Sequence, residues 1–166
     1  MTRRSITRHL HGLWLLLAFG ICACSSVDCP MNSSVYTVYQ LYKANGVADT
    51  LKDSLSVISF QKTPEQDAVL LNKIANISEF YLPISYQQTE DVLFFLFKNA
   101  DIVDTVTIRK ENRNHFESVN CNPSFFHTIT GVEHTKHMID SIVVKNPEVT
   151  YDKGKAHFYI YLRTDR

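Results

Sequence analysis

The sequence predicts an all-β domain, an antiparallel β-sandwich of Ig-like or Greek-key type, entered through a short leader. Three observations carry this reading. From residue 35 onward, β-branched and aromatic residues recur with period two. The runs are short and separated by turn-forming clusters such as Lys98-Asn99-Ala100-Asp101. The chain has 166 residues, and the part beyond the leader is the size of one domain with its own core.

The elements come in order along the chain. Val35–Tyr42 reads as the first strand. Leu51–Phe60 is the second, with Leu55 and Val57 on one face and Ser54, Ser56 and Ile58 on the other. Thr63-Pro64-Glu65-Gln66 has the layout of a helix start, with a capping Thr, Pro at the first position and Gln at the capping-box position. Val69-Leu70-Leu71 beyond it is read as a short strand instead, with Asn72–Asn76 turning into the next. Phe80–Ile84, Val92–Phe97 and Ile102–Ile108 come next. Val92–Phe97 is apolar on both faces and is expected to lie centrally, covered on both sides. His115–Val119, Phe125–Thr130, Ile139–Lys145 and His157–Leu162 complete the set. The last places Phe158, Ile160 and Leu162 on one face and Tyr159 and Tyr161 on the other. A transmembrane barrel would need evenly repeated strands of about ten residues with one lipid-facing side, and these runs are shorter and less regular.

The leader reads as a secretory signal peptide. Arg3, Arg4 and Arg8 precede an apolar run, Leu13–Ile21, shorter than the roughly 20 residues a membrane-spanning helix needs. Ile21-Cys22-Ala23-Cys24 then resembles a bacterial lipobox. Cys24 fits the lipidated position best, because small Ala23 precedes it and Ser25 and Ser26 follow as a polar tether. In such lipoproteins the thiol takes a diacylglyceryl group and the new amino terminus is acylated, and several chains anchor stably where one does not. The expected organisation is a lipoprotein signal peptide over 1–23, a lipid-anchored tether over 24–28 and one β-sandwich domain over 29–166. Cleavage removes three of the 17 basic residues and no acidic one, leaving a net charge of −3. That balance gives no basic stripe for nucleic acid.

Cys29 and Cys121 are then the only thiols left beside the anchor, in an oxidising compartment. An even pair there reads as a disulfide. The competing reading is two buried free thiols. Zinc is disfavoured, because no CxxC pair survives cleavage.

Asp28-Cys29-Pro30, Phe80-Tyr81-Leu82-Pro83-Ile84, Ser118-Val119-Asn120-Cys121, His137-Met138-Ile139-Asp140-Ser141-Ile142 and Asn146-Pro147-Glu148-Val149 occur in that order. Together they resemble a family of small Bacteroidetes lipoproteins whose domain has no assigned function. The resemblance implies an outer-membrane lipoprotein with a β-rich domain and brings no activity with it. One departure is Asn122 after Cys121, where the family has Gly. Asn tolerates the left-handed conformation better than most residues.

Candidate chemistry is sparse. His127, His134 and His137, with Glu133 beside them, are the weak candidates for a metal site. A polar loop after Gly131 with exposed imidazoles is the simpler reading, and neither metal nor other cofactor is expected. No nucleophile elbow, P-loop or dinucleotide glycine pattern is present. Four triplets of Asp, Ser or Thr, and an aliphatic residue resemble the acceptor pattern for O-glycosylation of exported Bacteroidetes proteins. They make Thr50, Ser54, Thr105 and Ser141 candidate acceptors, although a polar residue leading into a strand gives the same triplet. Tyr36 and Tyr42 on the first strand, with Tyr159 and Tyr161 on the last, are candidates for an exposed aromatic surface.

The expected function is a non-catalytic interaction or structural module of the cell envelope. It is held at the outer membrane by lipid, preferably on the periplasmic face, with another envelope protein such as an outer-membrane barrel as partner. The alternative is a glycan-binding surface lipoprotein, which needs coplanar exposed aromatics. The third is a metal-dependent enzyme built on the histidine region.

Overall fold

The computed structural model describes Cys29, residues 34–60 and residues 68–163. The leader, Cys22, Cys24 and the Thr63–Gln66 motif lie outside these residues. The described elements are all strands: β1 (Tyr36–Lys43), β2 (Leu55–Phe60), β3 (Ala68–Ile74), β4 (Glu79–Pro83), β5 (Glu90–Phe97), β6 (Ile102–His115), β7 (Ser124–His134), β8 (Ile139–Val144), β9 (Glu148–Val149) and β10 (Phe158–Leu162). They form two sheets, one ordered β4-β1-β10-β8 and the other β3-β2-β5-β6-β7-β9. Both have free edges, so this is the expected sandwich and not a closed barrel. β5, β6 and β7 form a meander, and the chain otherwise changes sheet repeatedly. One pairing departs from the expected antiparallel pattern: β1 and β10, the first and last strands, run parallel.

The core is the period-two pattern folded inward. Leu55 and Val57 of β2, Leu93, Phe95 and Phe97 of β5, and Val106 and Ile108 of β6 meet Tyr39, Leu41, Phe80, Leu82, Phe158, Ile160 and Leu162 of the smaller sheet. Tyr39 sits at its centre. Its ring stacks between Phe80 and Phe158, each 4.9 Å away, and meets the edge of Phe95 from the opposite sheet. A buried phenol needs a partner, and Tyr39 shares a 3.1 Å hydrogen bond with the Thr37 hydroxyl. Thr37 in turn reaches the Leu82 carbonyl at 3.1 Å. Burial holds the Tyr39 pKa above its ordinary value.

Two buried ionic groups fix the ends of the larger sheet. Asp104 on β6 is fully buried. Its carboxylate accepts the Thr135 hydroxyl and the amides of His137, Met138 and Ile139 at 2.7–2.9 Å. It thereby ties the β7–β8 corner to β6. Burial pushes this carboxyl up, but those four donors outweigh it and hold the pKa below its ordinary value. Lys110, also on β6, buries its ammonium against Asp91 at 2.8 Å and Ser85 at 3.3 Å. Asn112, two residues on, donates to the carbonyls of Tyr86 and Gln88 at 2.9 Å. Together they fasten the β4–β5 connection to the sheet.

Several expectations need correction. His115–Val119 is not a strand: His115 ends β6, and residues 116–119 belong to the β6–β7 connection, where Phe116 and Val119 are exposed. Val119 has β-propensity but no strand beside it to pair with. The polar loop expected after Gly131 is strand as far as His134, because β6 continues far enough to pair with it. β5 is internal to its sheet but covered on one face only: Leu93, Phe95 and Phe97 are buried, while Val92, Phe94 and Leu96 are half-buried. Leu51–Phe60 begins as a strand only at Leu55, and Leu51 makes an isolated bridge to Ile77. β9 carried no sequence signal. Asn122 does not adopt the left-handed conformation, which falls instead to Gly46, Lys73, Asn76 and Asp101. Val69-Leu70-Leu71 lies within β3, as expected.

Cys29 and Cys121 are bonded, closing a sequence separation of 92 residues. Chain-entropy arithmetic assigns such a loop about 4–5 kcal/mol. Reduction or Cys121→Ser should therefore lower the urea midpoint without changing the far-ultraviolet circular dichroism of the folded state. An unchanged midpoint would mean the bond contributes nothing. Asp104 gives a second prediction. Folding lowers its pKa from about 3.8, so its contribution is complete above that value and is lost as pH falls through the lower folded value. Asp104→Asn should be clearly destabilised at pH 7, and its deficit relative to wild type should shrink at pH 3. Urea unfolding at the two pH values measures this.

Candidate interaction surface

The parallel pairing of β1 and β10 builds a surface on the outside of the smaller sheet. Tyr39 faces in opposite Phe158, so Gln40 faces out opposite Tyr159, and Tyr42 opposite Tyr161. The Tyr42 ring lies 4.6 Å from Tyr159 and 5.5 Å from Tyr161, tilted 45° and 32° to them. On the other side of β1, Gln40 pairs with Glu79 of β4. A polar chain runs across these strands. The Tyr42 hydroxyl donates to Gln40 at 3.3 Å, Gln40 donates to Glu79 at 2.7 Å, and the Tyr81 hydroxyl donates to Glu79. Lys145 stands over the Tyr159 ring at 5.7 Å.

The electrostatics arise from these bonds. The Tyr81 and Gln40 donors hold the Glu79 carboxyl below its ordinary pKa, and burial opposes them weakly. Glu79 raises the Tyr81 pKa. Burial and the neighbouring Tyr159 raise that of Tyr42. At neutral pH the face therefore holds the ionised Glu79 carboxylate beside the protonated phenols of Tyr42 and Tyr81. It offers rings for contact and oriented hydroxyls for hydrogen bonding.

Tyr42, Tyr159 and Tyr161, expected as a surface, come together here. Tyr36 does not join them; its ring lies under Lys153, 4.1 Å from the ammonium. Tyr81 and Glu79 were missed, although the alternation of Phe80 and Leu82 inward already placed them outward. What the sequence does not carry is that β4 and β10 both border β1.

The outside of the larger sheet carries an apolar patch over β3, β2 and β5. Val69, Ile58 and Phe94 lie in one row across β3, β2 and β5, with Phe60 beside Val92 and Leu96 beside Val103 in the flanking rows. Val69 is 61% exposed, Phe60 45% and Val103 47%. The charged cluster of Glu90, Arg109 and Glu133 stands at its border.

The other sequence candidates are dispersed. His127 is buried and bonded through Nδ1 to Asn112 at 2.7 Å. His134 is seven residues further along the same strand, roughly 20 Å away at strand rise. His137 is largely exposed beside Asp104. Among the described residues no group of three His, Cys, Asp or Glu side chains is placed to hold a metal ion. Of the candidate acceptors Thr50 is exposed, while Ser54, Thr105 and Ser141 are half-buried. Two of the aspartates before them have structural employment: Asp53 accepts the amides of Ser54 and Asn99, and Asp104 holds the corner described above.

Fold and surface together define a β-sandwich domain with an aromatic, hydrogen-bonded face on one sheet and an apolar patch on the other. Residues 54–162 match the model of a family of unknown function, DUF6452, and the chain belongs to that family. The match begins beyond β1, so Tyr39 and Tyr42 lie outside it. No curated protein and no solved structure matches the chain.

Glu79→Gln should bring the Tyr81 phenol back towards its ordinary pKa, because it removes the charge that opposes ionisation. Phenolate absorbance across an alkaline titration, compared with Tyr81→Phe, measures the change. An unshifted titration would show that the bond does not persist in solution.

Proposed function

We propose that this protein is a non-catalytic interaction module of the cell envelope that docks a partner protein on the outer face of its smaller sheet. The observation that carries this is the convergence of Tyr42, Tyr159, Tyr161 and Tyr81 around Glu79 and Gln40. Tyrosines give large, rigid, amphipathic contact area at low entropic cost and are enriched where proteins meet. Tilted rings suit interdigitating side chains better than the flat stacking that a sugar ring requires. The apolar patch of the larger sheet is a further exposed area of the kind that marks contact surfaces.

The address rests on the leader. The basic start, short apolar run and lipobox-like Ala23-Cys24 support export and lipidation at Cys24. The ordered motifs that resemble small Bacteroidetes lipoproteins support the outer membrane. Periplasmic orientation is the preferred arrangement, and an outer-membrane barrel is the kind of neighbour such a module would meet.

The test separates anchor from surface. A photo-crosslinking residue at position 143, adjacent to Tyr159 on β8, should give a discrete adduct in intact cells. Tyr42→Ala with Tyr159→Ala should abolish the adduct while the protein stays in the membrane fraction. Cys24→Ala should release the protein from that fraction. Recovery of the wild type only as a lone, uncrosslinked monomer would overturn the docking reading.

A further inference from the structure

One end of the sandwich holds a cleft of about 430 Å³ that the interaction surface does not use. It opens where the approach to β1, the end of β4, the β4–β5 connection and the start of β7 meet. Val35, Pro83 and Ile84 give it apolar walls. Tyr86 and Phe125 form an aromatic wall, stacked at 4.7 Å and within 18° of parallel. His127 also lines it. The volume lies at the lower end of the range for small-molecule sites, and the mixture of apolar walls with few polar groups is usual for them.

The protonation of His127 is set by its neighbours. Asn112 spends both amide protons on the carbonyls of Tyr86 and Gln88. Its Oδ1 is therefore what faces His127, and the ring must place its proton on Nδ1 to bond it. Nε2 is left as an acceptor. Burial, then the Lys110 ammonium, lowers the His127 pKa to about 4, with Asp91 opposing. The ring is thus neutral at physiological pH. The buried charges that act on the ring, Lys110 and Asp91, already neutralise one another, so a charged ligand would lose hydration without gaining a partner there.

We propose that this cleft is a binding site for a small, uncharged, planar molecule bearing one N–H or O–H donor. The ligand ring extends the Tyr86–Phe125 stack, and its donor bonds Nε2 of His127. The site lies apart from the tyrosine face and stands or falls independently of the docking reading.

Indole and N-methylindole are the probes, titrated into the purified protein and followed by NMR of the Tyr86, Phe125 and His127 rings. Indole should saturate one site at or below about 10 mM, the affinity that minimal efficiency allows for a ligand of this size. N-methylindole, without the donor, should bind about tenfold more weakly, the usual consequence of losing one hydrogen bond. Indole-3-carboxylate should also bind more weakly than indole. Tyr86→Ala changes an exposed side chain and should leave the fold intact while weakening indole severalfold. His127→Phe, if folded, should erase the difference between indole and N-methylindole. No saturation by indole, equal affinity for the two indoles in the wild type, or binding unchanged by Tyr86→Ala would each overturn the proposal.

Discussion

The stack of Phe80, Tyr39 and Phe158 is the constraint on which the rest of the molecule depends. It joins three neighbouring strands through the inward side chains of one row and touches Phe95 across the core. Side chains alternate along a strand, so a shift of one residue in any of these pairings would turn the row outward. The Tyr39–Thr37 bond adds a polar requirement that such a shift would leave unmet in the core. The same contacts hold the first strand against the last and close the fold across its whole sequence length.

That inward register sets the outward one. With Tyr39 opposite Phe158, Tyr42 must stand opposite Tyr161, and Gln40 between Glu79 and Tyr159. The proposed docking face is thus the reverse side of the core. Substitutions in the stack would disturb the surface through register, even though their side chains never reach solvent. The buried ions work differently. Asp104 and the Lys110–Asp91 pair hold a corner and a connection, where strands end and backbone amides need partners. Their chemistry is consumed by architecture.

Strand positions were largely legible, because burial on one face imposes period two on the residues themselves. Phe158, Ile160 and Leu162 show this: alternation alone put them inside and Tyr159 and Tyr161 outside. The misplaced strand at His115–Val119 shows the limit. A β-branched residue in a connection looks the same as one in a strand, and only a neighbouring strand distinguishes them. The apolar outer face of Val92–Phe97 misled in the same way, since hydrophobicity does not record whether a second layer covers it. The face was partly legible too: three of its four tyrosines were named, but not the Glu79–Gln40–Tyr81 bonds that orient them.

The sequence by itself determined the all-β pattern, the inward and outward faces of most strands, and a pair of cysteines free to join. These are local properties, or simple counts, that each segment carries with it. Only the tertiary structure decided that β1 and β10 run parallel side by side, that three dispersed tyrosines meet, and that His127 turns inward while His134 and His137 sit elsewhere. Such placements depend on which strands share a sheet. That is fixed by core contacts between residues up to 119 positions apart, such as Phe158 on Tyr39, and no local stretch contains that information.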